Sequence, residues 1–126
     1  LTGWQSKRPN KYGAKKAGCH AGHTHDSIRE AKHCDELHLL LKAGEISDLV
    51  IQPQYYFVIN GQQVKHDNGR RVGYRPDFAY MKDGEQIVED VKPASRFAIS
   101  NDYPLRKAIF RALFPEIVFV EVTGKK

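Results

Sequence analysis

The dipeptide Asp83-Gly84 constrains this chain more than any other feature of its sequence. Asp-Gly between two apolar runs signals a two-residue hairpin turn, because both turn positions need positive φ. The runs here are about residues 72–82 and 85–92. With Asp83 and Gly84 as the turn, Lys82 faces Glu85, Tyr80 faces Ile87 and Asp77 faces Asp90. Lys92, two residues past Asp90, shares its face. Two carboxylates and an ammonium thus converge on one sheet face. Directly opposed like charges destabilise a strand pair. The neighbours Phe78, Tyr80, Ile87, Val88 and Val91 mark both faces as largely buried, so the acids need compensation. A divalent cation between them, assisted by Lys92, supplies it. In this register Glu89 opposes Phe78 and points to the other face; another turn length would exchange Glu89 and Asp90. The plainer alternative is an exposed hairpin that carries two unrelated acids.

The rest of the chain reads as helix, three strands, helix, strand. Ser27-Ile28-Arg29-Glu30 has the form of a capping box, and a helix should run to about Ala43 and stop at Gly44. Residues 49–59 read as a strand in which Pro53 marks an edge or bulge. Residues 60–70 are polar and read as a loop, and 93–101 as irregular. A second helix is expected over about 102–114, with Asp102 near its start and Pro115 stopping it. Ile117–Val122 forms an apolar last strand. Three sequential strands make a meander, and a strand that follows a helix joins by a crossover. The expected fold is therefore α/β, a mixed sheet flanked by helices.

Glu30 is a third acid of interest. At 100° per residue it falls in line with Cys34, Leu37 and Leu41, inside the apolar stripe, while Arg29, Lys32 and Glu36 fall on the polar side. A carboxylate there needs a partner. Two roles stay open: a site residue, or a cap that bonds back to Ser27.

Charge placement points to a partner. Residues 1–18 carry Lys7, Arg8, Lys11, Lys15 and Lys16 and no acid, whereas the remainder holds 15 basic and 15 acidic residues. An acid-free basic arm over residues 1–26, ahead of a domain over 27–126, suits a phosphate backbone; a solvated tail is the alternative. A hairpin around Ala21-Gly22 fits within the arm. Arg70, Arg71 and Arg75 lead into Asp77, and Lys107 lies on the second helix; these are further candidate nucleic-acid contacts. With 126 residues, 40% of them hydrophobic, the chain can bury a core without disulfides. Two cysteines, Cys19 and Cys34, make no disulfide scaffold and suit a reducing, cytoplasmic setting. No apolar run approaches the ~18 residues that span a bilayer, so no membrane partner is expected. The opening Leu1–Ser6 lacks the apolar stretch of a secretory signal. Cys19, His20, His23 and His25 form a compact cluster that matches no standard structural zinc spacing.

Pro76-Asp77 followed by Asp90-Val91-Lys92 resembles the motif of the PD-(D/E)XK nuclease superfamily. Further segments resemble those of small phage- and prophage-encoded members: Lys11–Lys16, Asp26–Ala31, Gln52-Pro53, Asp77–Tyr80 and Glu89–Lys92. The resemblance covers about residues 11–122. It implies a restriction-endonuclease-like αβββαβ core and a metal-dependent DNA endonuclease. Glu30, Asp77 and Asp90 would hold Mg²⁺ or Mn²⁺, and Lys92 would position or activate the attacking water. A homodimer is compatible with it. Lys92 is followed by Pro93 where the family pattern leads one to expect Gly, and the Cys/His-rich segment 19–25 is peculiar to this chain. Two rival expectations stand beside this one: a non-catalytic DNA-binding module on a degenerate nuclease fold, and a zinc-dependent regulator built on the Cys/His cluster.

Overall fold

The structure, a computed structural model, describes residues 17–19, 22, 24–25, 28–92 and 101–123. Its centre is a mixed four-stranded sheet. The strands are β3 (Ser47–Ile51), β8 (Phe78–Lys82), β9 (Glu85–Val91) and β10 (Val118–Val122). In space their order is β10-β9-β8-β3. β3, β8 and β9 form the expected antiparallel meander, and β10 lies parallel to β9. Helix α1 (Ile28–Lys42) precedes the sheet, and α2 (Tyr103–Leu113) lies between β9 and β10. The remaining strands are short: β1 (Ala17–Gly18), β2 (Thr24–His25), β4 (Tyr55–Tyr56), β5 (Val58–Ile59), β6 (Gln62–Gln63) and β7 (Gly73–Tyr74). No helix among the described residues is long and apolar enough to cross a membrane.

The Asp83-Gly84 hairpin adopts the expected register. Asp83 and Gly84 have φ of 52° and 80°, and Lys82 pairs with Glu85, Tyr80 with Ile87 and Phe78 with Glu89. The pleat then divides the core. Phe78 and Tyr80 pack with Cys34 and Leu37 of α1 and with Ile46. Ala79 and Val88 face the other way and pack with Phe110 of α2, Phe57 and Tyr74. Both faces are buried, as the apolar flanks of the hairpin require.

Helix α1 ends in a Schellman motif. The Gly44 N–H bonds the Leu41 carbonyl, the Glu45 N–H bonds the Leu40 carbonyl, and Gly44 takes φ of 80°. The buried stripe comprises Glu30, Ala31, Cys34 and Leu37. Leu41, placed in that stripe by the helical wheel, is instead 37% exposed, in a last stretch of helix where Leu39 and Leu40 are exposed as well. Ser27, and with it the expected capping box, lies outside the described residues, as does nearly all of the basic arm. A β1–β2 pairing brackets Ala21-Gly22, where a hairpin is expected.

Three expectations need correction. The strand over 49–59 is not continuous. It stops at Ile51, because Gln52 takes φ of 53° and Pro53 offers no N–H; the chain resumes as β4 and β5 outside the main sheet. The strand over 72–82 is likewise interrupted at Arg75-Pro76-Asp77, leaving β7 paired with β4 and β8 paired with β9 and β3. The 60–70 loop holds structure of its own: Asn60 and Gly61, both with positive φ, turn a β5–β6 hairpin, and Lys65 bridges to Arg71.

Candidate functional site

The break at Arg75-Pro76-Asp77 creates the site. Pro76 is fully buried and cannot donate to a ladder. Asp77 follows it at the mouth of β8. Its N–H bonds the Glu89 carbonyl at 3.2 Å, and its carbonyl accepts the Gln52 N–H at 2.8 Å. Its carboxylate Oδ2 accepts the Val91 N–H at 2.7 Å. The side chain is thereby held across the strand gap against Asp90, with which it shares a hydrogen bond. Asp90 is 9% exposed. Its Oδ2 accepts the Tyr74 hydroxyl at 2.5 Å and stands 3.6 Å from the Lys92 ammonium. Lys92 is fixed in turn by the Tyr103 ring, whose centroid lies 3.3 Å from Nζ.

Asp77 is half-buried, and a carboxylate set against the buried Asp90 cannot ionise beside it cheaply. Burial, the hydrogen bond to Asp90, and the charges of Asp90 and Glu30 push Asp77 up to about 9, against the relief given by the Val91 N–H. Glu30 is 5% exposed on α1. It therefore reaches the acid pair electrostatically from the neighbouring layer. Among the described residues, no group of three or more His, Cys, Asp or Glu side chains is arranged to hold a metal ion. The contact at this site is the Asp77–Asp90 pair, with Glu30 contributing charge. Burial and the Asp90 charge raise the Tyr74 hydroxyl far above its ordinary range, so it remains a donor.

Glu89 belongs to the opposite face, as the register requires. It accepts the Tyr80 hydroxyl and meets His33 Nε2 of α1 at 2.5 Å. His33 also lies 3.3 Å from Glu36. Burial lowers the His33 pKa, but the bond to Glu89 and the charges of Glu89 and Glu36 outweigh it, so the net shift is upward. Arg29 reaches the Lys92 carbonyl at 3.5 Å from the same helix.

The basic candidates separate. Arg70, Arg71 and Arg75 line one cleft of about 560 Å³, together with Arg106, His66 and Tyr56. The Arg71 guanidinium lies 3.7 Å from the centre of the Tyr56 ring. Arg106 is braced by Asp102 at 2.8 Å and donates to the Gly73 carbonyl at 2.5 Å. Lys107 lies elsewhere, on Glu121 at 2.8 Å. Lys7, Arg8, Lys11, Lys15 and Lys16 lie outside the described residues. So do His20, His23 and the His25 side chain. Cys19 bonds Cys34, and burial first, then that contact, push the Cys34 thiol up to about 12.

Tyr74, Tyr103 and Gly73 are members of the site that the sequence does not announce. Gly73 is required by close approach: a Cβ there would sit 2.2 Å from the Tyr55 carbonyl oxygen. That contact sets Tyr74, the next residue, against Asp90.

The profile of a family of proteins of unknown function, DUF1064, matches residues 9–124. The chain belongs to this family. As a DUF1064 protein it carries the Asp77–Asp90 pair, Lys92 and the arginine cleft within the matched region. No curated protein and no solved structure matches the chain.

Proposed function

We propose that this DUF1064 protein is a metal-dependent nuclease of the PD-(D/E)XK type that hydrolyses phosphodiester bonds in DNA. The observation that carries the reading is the half-buried Asp77 set against the buried Asp90, with the Lys92 ammonium 3.6 Å from Asp90. Setting two carboxylates together largely out of water has a functional rationale when a cation joins them. The order α1-β3-β8-β9-α2-β10 is that of an αβββαβ core, with residues 52–77 inserted between its first two strands. That order supports the restriction-endonuclease-like assignment.

The chemistry of the pair suits a hard divalent cation. Asp77 and Asp90 would offer it carboxylate oxygens, with Glu30 adding negative charge from α1, and such oxygens favour Mg²⁺ or Mn²⁺ over Zn²⁺. Such an ion, when bound, would lower the pKa of a water and offset charge on the scissile phosphate. The residues of this chain do the rest. The Val91 N–H and the Tyr74 hydroxyl fix the rotamers of Asp77 and Asp90. Lys92, held over Tyr103, sets a positive charge beside Asp90, where it would steady a phosphate oxygen or the attacking water. The test is cleavage of plasmid and oligonucleotide DNA with Mg²⁺ or Mn²⁺. Activity abolished by EDTA and by Lys92→Ala supports the reading. Binding without cleavage under every metal condition would leave the non-catalytic DNA-binding module in its place.

A further inference from the structure

The arginine cleft stands apart from the acid pair and has a composition of its own. No carboxylate lines it. Among the described residues, the guanidinium groups of Arg70, Arg71 and Arg75 have no acidic partner, and Arg70 and Arg75 are exposed. Three guanidinium groups without an acidic partner, beside a fourth that Asp102 offsets, leave the recess net positive and suited to an anion. Guanidinium groups match phosphate oxygens bidentately. The recess also holds an aromatic surface: Tyr56 is 38% exposed, with Arg71 against its ring. Arg75 is two residues before Asp77, about 7 Å along the backbone. Gly73, at the floor, precedes Tyr74, which bonds Asp90. Two short stretches of backbone, Gly73-Tyr74 and Arg75–Asp77, thus tie the cleft to the acid pair.

We infer that this cleft binds the backbone phosphates of an unpaired stretch of nucleic acid that flanks the cleaved bond, with one base stacked on Tyr56. This rests on the nuclease reading for the position of the bond, though not for the binding itself. An unpaired stretch follows from the stacking: a base within a duplex is stacked on its neighbours and cannot turn onto the ring. The arginines supply the sequence-independent attraction, and the aromatic ring supplies a surface any base can use. Arg70 and Arg75 are the residues to alter, because neither braces the fold, whereas Arg106 does.

The test measures binding of the full chain in EDTA, where cleavage does not interfere. The probes are a labelled single strand, its duplex, and the same strand with abasic positions. The single strand should bind more tightly than the duplex. The Arg70→Gln/Arg75→Gln double variant should keep its Tm and lose about 1.4 from the slope of log affinity against log salt. Removing bases should weaken binding to the unaltered protein about tenfold and should have little further effect on Tyr56→Ala. Equal binding of duplex and single strand would overturn the inference, as would an unchanged salt slope or an abasic penalty identical in both proteins. Dependence on a 5′-phosphate, or full competition by inorganic phosphate, would make the cleft a terminal-phosphate pocket and also overturn it. Absent cleavage with the expected binding would sink the nuclease reading alone. Cleavage with an unchanged salt slope would sink the cleft alone.

Discussion

Replacing Asp77 by Asn removes one charge from the acid pair and leaves the shape unchanged. The amide oxygen can still accept the Val91 N–H, and the amide nitrogen can donate to Asp90. The gain in stability without metal follows from linkage. Asp77 sits near 3.8 in the unfolded chain and at about 9 in the fold. A carboxyl raised in this way helps stability fully below its unfolded value, and that contribution is lost as pH climbs toward its folded value. At pH 7, which lies between the two values, the loss is on the order of a few kcal/mol. Asp77→Asn escapes it, so its Tm in EDTA at pH 7 should rise on the order of 10 °C. The difference should shrink to well under about 1 kcal/mol at pH 4, close to the unfolded value, where the unfolded carboxyl is about half ionised and the folded one is protonated. Urea titrations of both proteins from pH 4 to pH 9 in EDTA read this directly. Added Mg²⁺ should stabilise the parent, as a ligand of the folded state does, and leave Asp77→Asn nearly unmoved. A pH-independent difference, or a destabilised Asn variant, would refute the reasoning about the pair.

Three further outcomes are expected. Glu30→Gln should keep the fold and lose most cleavage, since the neutral amide removes negative charge that would help draw a divalent ion to the acid pair; near-normal turnover would leave Glu30 a structural residue. Gly73→Ala should cost about 2 kcal/mol or more and loosen Tyr74 from Asp90, because the new methyl meets the Tyr55 carbonyl at 2.2 Å. Chemical denaturation and the intensity of the near-UV tyrosine signal check it. The raised pKa of His33 adds stability that is fully present below pH 6.5 and lost as pH rises through the folded value. His33→Gln should remove that component, which a pH series of melting curves will detect.

Several features were legible because their causes are local. Asp83-Gly84 sets a turn, the turn sets the register, and the two-residue period places Asp77 and Asp90 on one face and Glu89 on the other. Gly44 closes α1 through its own φ. A local signal also went unused: Asn60-Gly61 is a strong hairpin dipeptide, yet the segment reads as polar loop because its strands are only two residues long. Other features had no local cause to read. Helical spacing places Lys107 on a face, but its partner Glu121 depends on where β10 docks after the crossover. Tyr74 reaches Asp90, and Arg106 reaches Gly73, only through packing of β7 against α2 and β4. Leu41 shows the same limit, since periodicity gives a stripe and not what packs against each turn of it.

The interruption at Arg75-Pro76-Asp77 unites the two halves of the site. A continuous strand from 72 to 82 would occupy Val91 with a main-chain acceptor and leave Asp77 an ordinary outward carboxylate. Because Pro76 ends the ladder, the Val91 N–H is taken by the Asp77 side chain, which draws that side chain in against Asp90. The same break frees β7 to leave the main sheet and pair with β4, and that pairing forms the floor of the arginine cleft. The proline of the Pro-Asp signature is then a geometric requirement. A residue with a free N–H at this position could extend β8 toward β7, separate Asp77 from Asp90 and close the cleft together. Pro76→Ala should therefore affect both sites at once, lowering the apparent pKa of Asp77 and weakening single-strand binding in EDTA. An effect on only one of them would mean that acid pair and cleft are positioned independently.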